Sequence, residues 1–344
     1  MRHPLKMTGE RNTGLDTLRG IGILTVVMVH AGIIGMTQRV LLVFILPLFY
    51  MVAGCLYRDM PSIKTLAADK CRRLLIPFMF FASAGFVIYT FGNCLQPEKP
   101  FDFHMFNLLS TDRYYLPYPA ALWFFWSIFW CYMFYGTARR FTRNDVQLGA
   151  CCMTVGIAGW LLSRHAALPL SIDTAMSWLP FFYAGNMLAS HRMGQQMLKG
   201  RYWQAGLPVA AICCAVYIAA GYRAGYCFNI FEGSIPMIML LSLGATTGML
   251  CVCCRLGAVP AVTYIGRNSL VIFAVHQHFI IMIREALKYI HAGDESGILN
   301  WMVAALSIAG SIFAAILLKK FAPILIGERN SRPSKCDCQA SILD

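Results

Sequence analysis

Ten long apolar runs separated by short polar gaps organise this chain. They cover roughly 17–36, 39–57, 73–93, 118–138, 147–163, 172–190, 205–221, 232–252, 262–283 and 298–318. Each comes near the ~20 apolar residues that an α-helix needs to cross a bilayer. Backbone groups in lipid must be hydrogen-bonded within their own segment, so such runs predict helices rather than open strands. Strands of a membrane barrel would alternate apolar and polar residues, and these runs do not. The pattern predicts an all-α integral membrane protein with about ten transmembrane helices in one bundle. Residues 1–325 form the membrane domain in this reading, and 326–344 a short polar cytoplasmic tail. No internal repeat is visible, so the inverted-repeat plan of many transporters is not indicated.

Composition strengthens the picture. Hydrophobic residues make up 58% of the 344, charged residues 13%, and the mean hydropathy is +0.58. A soluble domain carries about 25% charged residues. The net charge of +13 does not point to nucleic acid, because the charges sit in the gaps between apolar runs. With the N-terminus placed in the cytoplasm, 22 of the 29 lysines and arginines fall in inside segments. That asymmetry predicts that both termini are cytoplasmic. The first seventeen residues are polar, which does not fit a cleavable signal peptide. Most of the 14 cysteines lie inside apolar runs, as in Cys151-Cys152 and Cys253-Cys254, and read as small helix fillers. Cys336 and Cys338 in the tail complete no metal quartet with their neighbours, and no metal site is expected.

Ionisable side chains inside lipid are costly, so each marks a candidate site. The first run holds Asp16, Arg19 and, eleven residues later, His30. Eleven steps of 100° end 20° past three turns, so Arg19 and His30 share a helix face about 16–17 Å apart along the axis. Asp16 precedes Arg19 by three residues and can pair with it. The ninth run carries Arg267-Asn268-Ser269, then His276 and His278, with Ser269 and His276 again on one face. His278 faces elsewhere and suits a structural role. A third cluster, Lys70-Cys71-Arg72-Arg73 with Lys64, lies where the third run begins. Basic groups at a helix start can bind phosphate, aided by backbone N–H groups. The outside loop 94–117 carries Asp102, His104, Asp112, Arg113, Tyr114 and Tyr115, a set that suits either sugar binding or interfacial anchoring.

The stretch Leu15-Asp16-Thr17-Leu18-Arg19-Gly20 ending in His30 resembles the opening of the membrane acyltransferase 3 family. Lys70 with Arg73 resembles that family's basic third-helix element, lysine replacing the usual arginine. Phe49-Tyr50-Met51-Val52-Ala53-Gly54, Leu122-Trp123-Phe124, Leu179 to Gly185, and Ile265 to Leu270 followed by His276 resemble later segments, in order. One departure stands out: relatives often place a glutamate shortly after the Trp-Ser pair of the fourth helix, whereas Trp126-Ser127 is followed by Ile128 to Tyr132 with no carboxylate.

The resemblance implies transfer of an acetyl or other short acyl group from acyl-CoA to a hydroxyl of a cell-surface polysaccharide or lipid-linked glycan. It implies the sugar O-acetylase branch and a multi-pass protein of a bacterial-type plasma membrane, with acetyl-CoA as donor substrate and no permanently bound cofactor. Lys70, Arg72, Arg73, Arg19, Arg267 and Asn268 are then expected to hold the donor, with His30 as general base. Asp16 would hold Arg19, while Ser269, Asn268 or His276 would steady the oxyanion or acceptor. A transporter or flippase that uses the histidines as a proton relay is the alternative.

Overall fold

Every one of the ten apolar runs contains a helix, but several begin, end or break away from the expected places. The computed structural model describes residues 11–33, 35, 39–40, 42–94, 120–225, 229–289 and 297–328. The loop 94–117, apart from its first residue, and the polar tail beyond 328 lie outside the described residues, as do Arg2 and Lys6.

Helix α1 spans Thr13–His30, capped by Asn12, whose side chain accepts the Leu15 N–H. Helix α2, Ile45–Cys55, starts six residues later than its apolar run, with Pro47 in its first turn, where a missing N–H costs little. Helix α3, Ile63–Lys70, starts ten residues earlier than the third run, because Ser62 and Thr65 cap its N-terminus reciprocally. It passes through a π-helical turn, Cys71–Leu75, into α4, Ile76–Cys94. The chain continues through α5 (Trp123–Phe141), α6 (Asp145–Ser163), α7 (Ile172–Ser190), α8 (Arg192–Leu198) and α9 (Trp203–Ala219). Helices α8 and α9 meet at 86°. A short antiparallel hairpin, β1 (Arg223–Gly225) with β2 (Ile230–Glu232), leads to α10 (Ile235–Leu256).

The ninth run is not one helix. It is split at Asn268 into α11 (Pro260–Arg267) and α12 (Ser269–Tyr289). Asn268 turns its side-chain amide back to the Tyr264 carbonyl at 2.8 Å, the local bonding by which asparagine competes with a helix. Helix α13 (Gly297–Phe321) closes the bundle.

Among the described residues, five helical spans are long and apolar enough to cross a membrane, or six if the bent α8–α9 pair is one span. The chain is an all-α membrane protein. Many large apolar side chains face outward, among them Val87, Ile212, Leu240 and Phe313, which fits a lipid-facing surface.

Glycines set how closely the central helices approach. A Cβ on Gly54 would collide with the Phe182 carbonyl, and one on Gly185 with the Met51 carbonyl, so α2 and α7 meet backbone to backbone. Likewise a Cβ on Gly266 would strike the Asp16 carbonyl and one on Gly20 the Val262 carbonyl, which seats α11 directly on α1. Small residues at crossings let membrane helices maximise dispersion contact, since lipid offers no hydrophobic drive between them.

Candidate active site

Two rungs join α1 to α12. At one end of the bundle Arg19 Nη2 donates to Ser269 Oγ at 2.8 Å. Towards the other end His30 Nδ1 lies 2.9 Å from His276 Nε2. Eleven residues separate the rungs on α1 and seven on α12, about 16 Å against about 10 Å of helix. The long arginine side chain spans the mismatch, so its guanidinium is nearer the imidazoles than backbone spacing alone suggests. Parallel packing of two faces, each chosen by one helical period, brings together all four residues.

The histidine pair has a defined tautomer. His276 is fully buried, and its Nδ1 faces the carbonyls of Phe273 at 2.8 Å and Ile272 at 3.1 Å. A carbonyl only accepts, so that nitrogen carries the proton. In neutral His276 the Nε2 is then bare and accepts the Nδ1–H of His30. His30 is left with an unprotonated Nε2, and it is exposed at the last turn of α1. An imidazole whose second nitrogen is fixed by a partner is oriented for one proton transfer.

Further contacts hold this end. Arg284 of α12 donates Nη2 to the Ala31 carbonyl at 3.0 Å and to Asn300 Oδ1 at 2.9 Å. Asn300 of α13 in turn donates to the Gly32 carbonyl at 3.0 Å. Gly32 has φ +79°, a left-handed conformation that suits glycine after a helix. Ser307 of α13 donates to the His276 carbonyl at 2.9 Å. Phe273 packs against His276 and against Phe124 of the Leu122-Trp123-Phe124 segment, with ring centroids 5.9 and 5.4 Å apart. Gln277 Oε1 accepts from the Ala121 N–H at 3.1 Å just before α5.

At the Arg19 end the acid is shared differently from the expectation. Asp16, nearly buried, accepts from Arg11 Nη2 at 2.9 Å and faces Arg267 Nε at 3.4 Å, while Arg19 stands off at 3.9 Å. Ser269 and Asn268 lie here, a rung away from His30 rather than beside it. Thr17 ties the same turn to Thr263 of α11 at 2.8 Å and to the Gly257 carbonyl at 2.7 Å.

The basic third cluster is not at a helix start. With α3 beginning at Ile63, Lys70 to Arg73 sit mid-helix, so their backbone N–H groups are engaged in helical bonding. Asp69, which the sequence analysis passed over, gathers them: Lys70 at 3.3 Å, Arg72 at 3.2 Å and Arg73 at 2.9 Å. Lys70 Nζ also lies 4.1 Å from the Tyr132 ring centroid on α5, a cation–π contact. His278 stands apart, its ring nitrogens buried without a hydrogen-bond partner among the described residues.

Arg284, Asn300, Asp69 and Tyr132 were the contributors missed. Asp69 was legible, since an acid three and four residues before two arginines is a helical pairing pattern. The other three depend on which helices become neighbours.

No curated protein and no solved structure matches the chain. A family model described as an acyltransferase domain matches residues 12–320, a stretch that takes in both rungs and the basic cluster. With that match over most of its length, the chain belongs to this family of membrane acyltransferases.

Proposed function

We propose that the protein is a membrane O-acyltransferase moving an acetyl or other short acyl group from acyl-CoA to a carbohydrate hydroxyl. Its ten helical runs would all span a bacterial-type plasma membrane, with both termini and the Arg19 end cytoplasmic and the His30 end facing outward. The membrane domain runs to about residue 325.

The observation that carries the reading is the His30–His276 pair: one exposed imidazole, oriented by one buried imidazole, inside an acyltransferase domain. His30 Nε2 takes the proton from the acceptor hydroxyl as its oxygen bonds to the thioester carbon. The carbon–sulfur bond breaks, and the thiolate of coenzyme A leaves and takes up a proton. His276 keeps its Nε2 on the His30 Nδ1–H and so supports the imidazolium as it forms. Asp16 holds Arg11 and Arg267 around the cytoplasmic turn and leaves Arg19 to donate to Ser269. Arg19, Lys70, Arg72, Arg73, Arg267 and Asn268 form the donor end. The break at Asn268 adds to it the N-terminus of α12, and the positive end of a helix favours phosphate oxygens.

The test is transfer of label from radiolabelled acetyl-CoA to glycan by purified protein in vesicles, compared with His30→Ala at equal abundance. Label that reaches glycan only with the parent protein supports the reading. Movement of a glycolipid across the vesicle without acylation would replace the enzyme by a transporter.

A further inference from the structure

The Lys70-Cys71-Arg72-Arg73 cluster straddles the π-helical turn Cys71–Leu75. Such a turn inserts one residue, so the helix before it is rotated by roughly 100° against the helix after it, relative to an unbroken α-helix. Local chemistry favours the insertion. The Ile76 N–H reaches back to the Cys71 carbonyl, and Pro77 has no N–H at all. The carbonyls of Arg72 and Arg73 thus lose the donors four residues on that an α-helix would supply.

A segment some 250 residues away in sequence lands on these carbonyls. After α13 the chain folds through a 3₁₀ turn, Pro323–Ile326, that ends at Gly327 in the left-handed conformation, φ +75°. A Cβ on Gly327 would stand 2.8 Å from the Arg73 Cα and 3.1 Å from the carbonyl oxygens of both Arg72 and Arg73. Glycine is therefore needed there twice, for its φ and for the close approach. Ile326 is buried in the core that holds Phe78, Phe81 and Ala82 of α4. The Glu328 N–H donates to the Pro323 carbonyl at 3.0 Å, and the Glu328 carboxylate lies 3.6 Å from Lys319 of α13. A chain that simply left the bundle would need neither the buried isoleucine nor the backbone contact with the cationic turn.

We infer that Pro323–Gly327 is a positioning element for the donor end: seated on the Arg72 and Arg73 carbonyls, it holds α3 and α4 in the π register and so sets the direction in which Lys70, Arg72 and Arg73 meet the acyl-CoA phosphates. The inference rests on the acyl-CoA reading above. In an unbroken α register the cations would turn by roughly 100° against the buried face of α4. Asp69 gathers the three cations on their own helix, while the C-terminal turn fixes where that helix points. Ile326 and Gly327 act through the basic residues and touch no substrate.

Full-length protein in phosphatidylcholine nanodiscs is titrated with coenzyme A, and acyl transfer is measured on the same samples. Gly327→Ala should weaken coenzyme A binding about 10-fold, the usual cost of losing a group that only orients binding residues, and raise donor KM with kcat unchanged. In a background of Arg72→Gln with Arg73→Gln the same substitution should cost nothing further, because the contacts it misplaces are already gone. Gly221→Ala, with a similar φ of +67° and nothing near its Cβ, should leave coenzyme A affinity unchanged. Parental affinity in Gly327→Ala overturns the inference while the donor reading stands. A loss that adds in full to that of the arginine variants, or that falls on kcat alone, overturns it too, by showing general damage to the fold. If Gly327→Ala does not accumulate, Ile326→Val is carried through the same cycle, with a smaller loss expected and the same outcomes deciding. A parent protein that binds no coenzyme A overturns the donor reading itself.

Discussion

His30 Nδ1 and His276 Nε2 lie 2.9 Å apart, and the backbone carbonyls that hold the far nitrogen of His276 decide which of the two imidazoles has a free base. The exposed ring, not the buried one, ends with the unprotonated Nε2. The roles of the pair are therefore unequal, and mutation should show it.

His30→Ala and His30→Gln should each lower acyl transfer by about 10²- to 10⁴-fold, the usual cost of losing a general base. Glutamine keeps a polar group but cannot take the proton at neutral pH. Glycan acylation measured at matched membrane abundance is the readout. Near-parental activity in either variant would make His30 structural.

His276→Ala should cost less, about 10- to 100-fold, as for other partners that only orient a reacting group. The His30 ring then loses its acceptor and populates both tautomers. The loss should lie in kcat, with donor KM unchanged. A loss as large as that of His30→Ala, or one seen in KM alone, would contradict the assignment.

Arg284→Met should also lower kcat and spare donor KM, because Arg284 and Asn300 fasten the carbonyls of Ala31 and Gly32 directly after His30. In the proposed reaction they would position His30 without touching the reacting atoms. Arg284→Lys, which can still reach one carbonyl, should recover part of the activity. If the lysine variant is as poor as the methionine variant while both fold, the clamp does not act through these contacts.

Arg19→Ala should weaken coenzyme A binding by about 1.5–3 kcal/mol, one charge-assisted contact, with little effect on abundance. Isothermal titration of the purified variant checks this. Unchanged affinity would remove Arg19 from the donor end.

Gly266→Ala should destabilise the fold by about 1–3 kcal/mol, since the added methyl meets the Asp16 carbonyl where α11 crosses α1. The readout is the thermal midpoint of the detergent-solubilised protein. Gly221→Ala is the contrast: nothing lies near its Cβ, so only its φ of +67° is strained.

The sequence by itself determined the class of protein and which of its ionisable residues share a helix face. Hydropathy places ten helical runs because lipid demands internally bonded backbone, and the 3.6-residue period alone puts Arg19 with His30 and Ser269 with His276 on single faces. What it could not determine was which face meets which. A period says that a face exists, not what lies against it. That was decided by close packing, by Gly20 and Gly266 drawing α11 onto α1 and so setting α12 beside it. The same packing made a pair of two separate histidines and drew Arg284 and Asn300 to the end of α1. Helix starts were misread for a related reason. Capping at Ser62 and the break at Asn268 are local hydrogen-bond choices that hydropathy does not record, and they moved Lys70–Arg73 into a helix interior and Ser269 to a helix start.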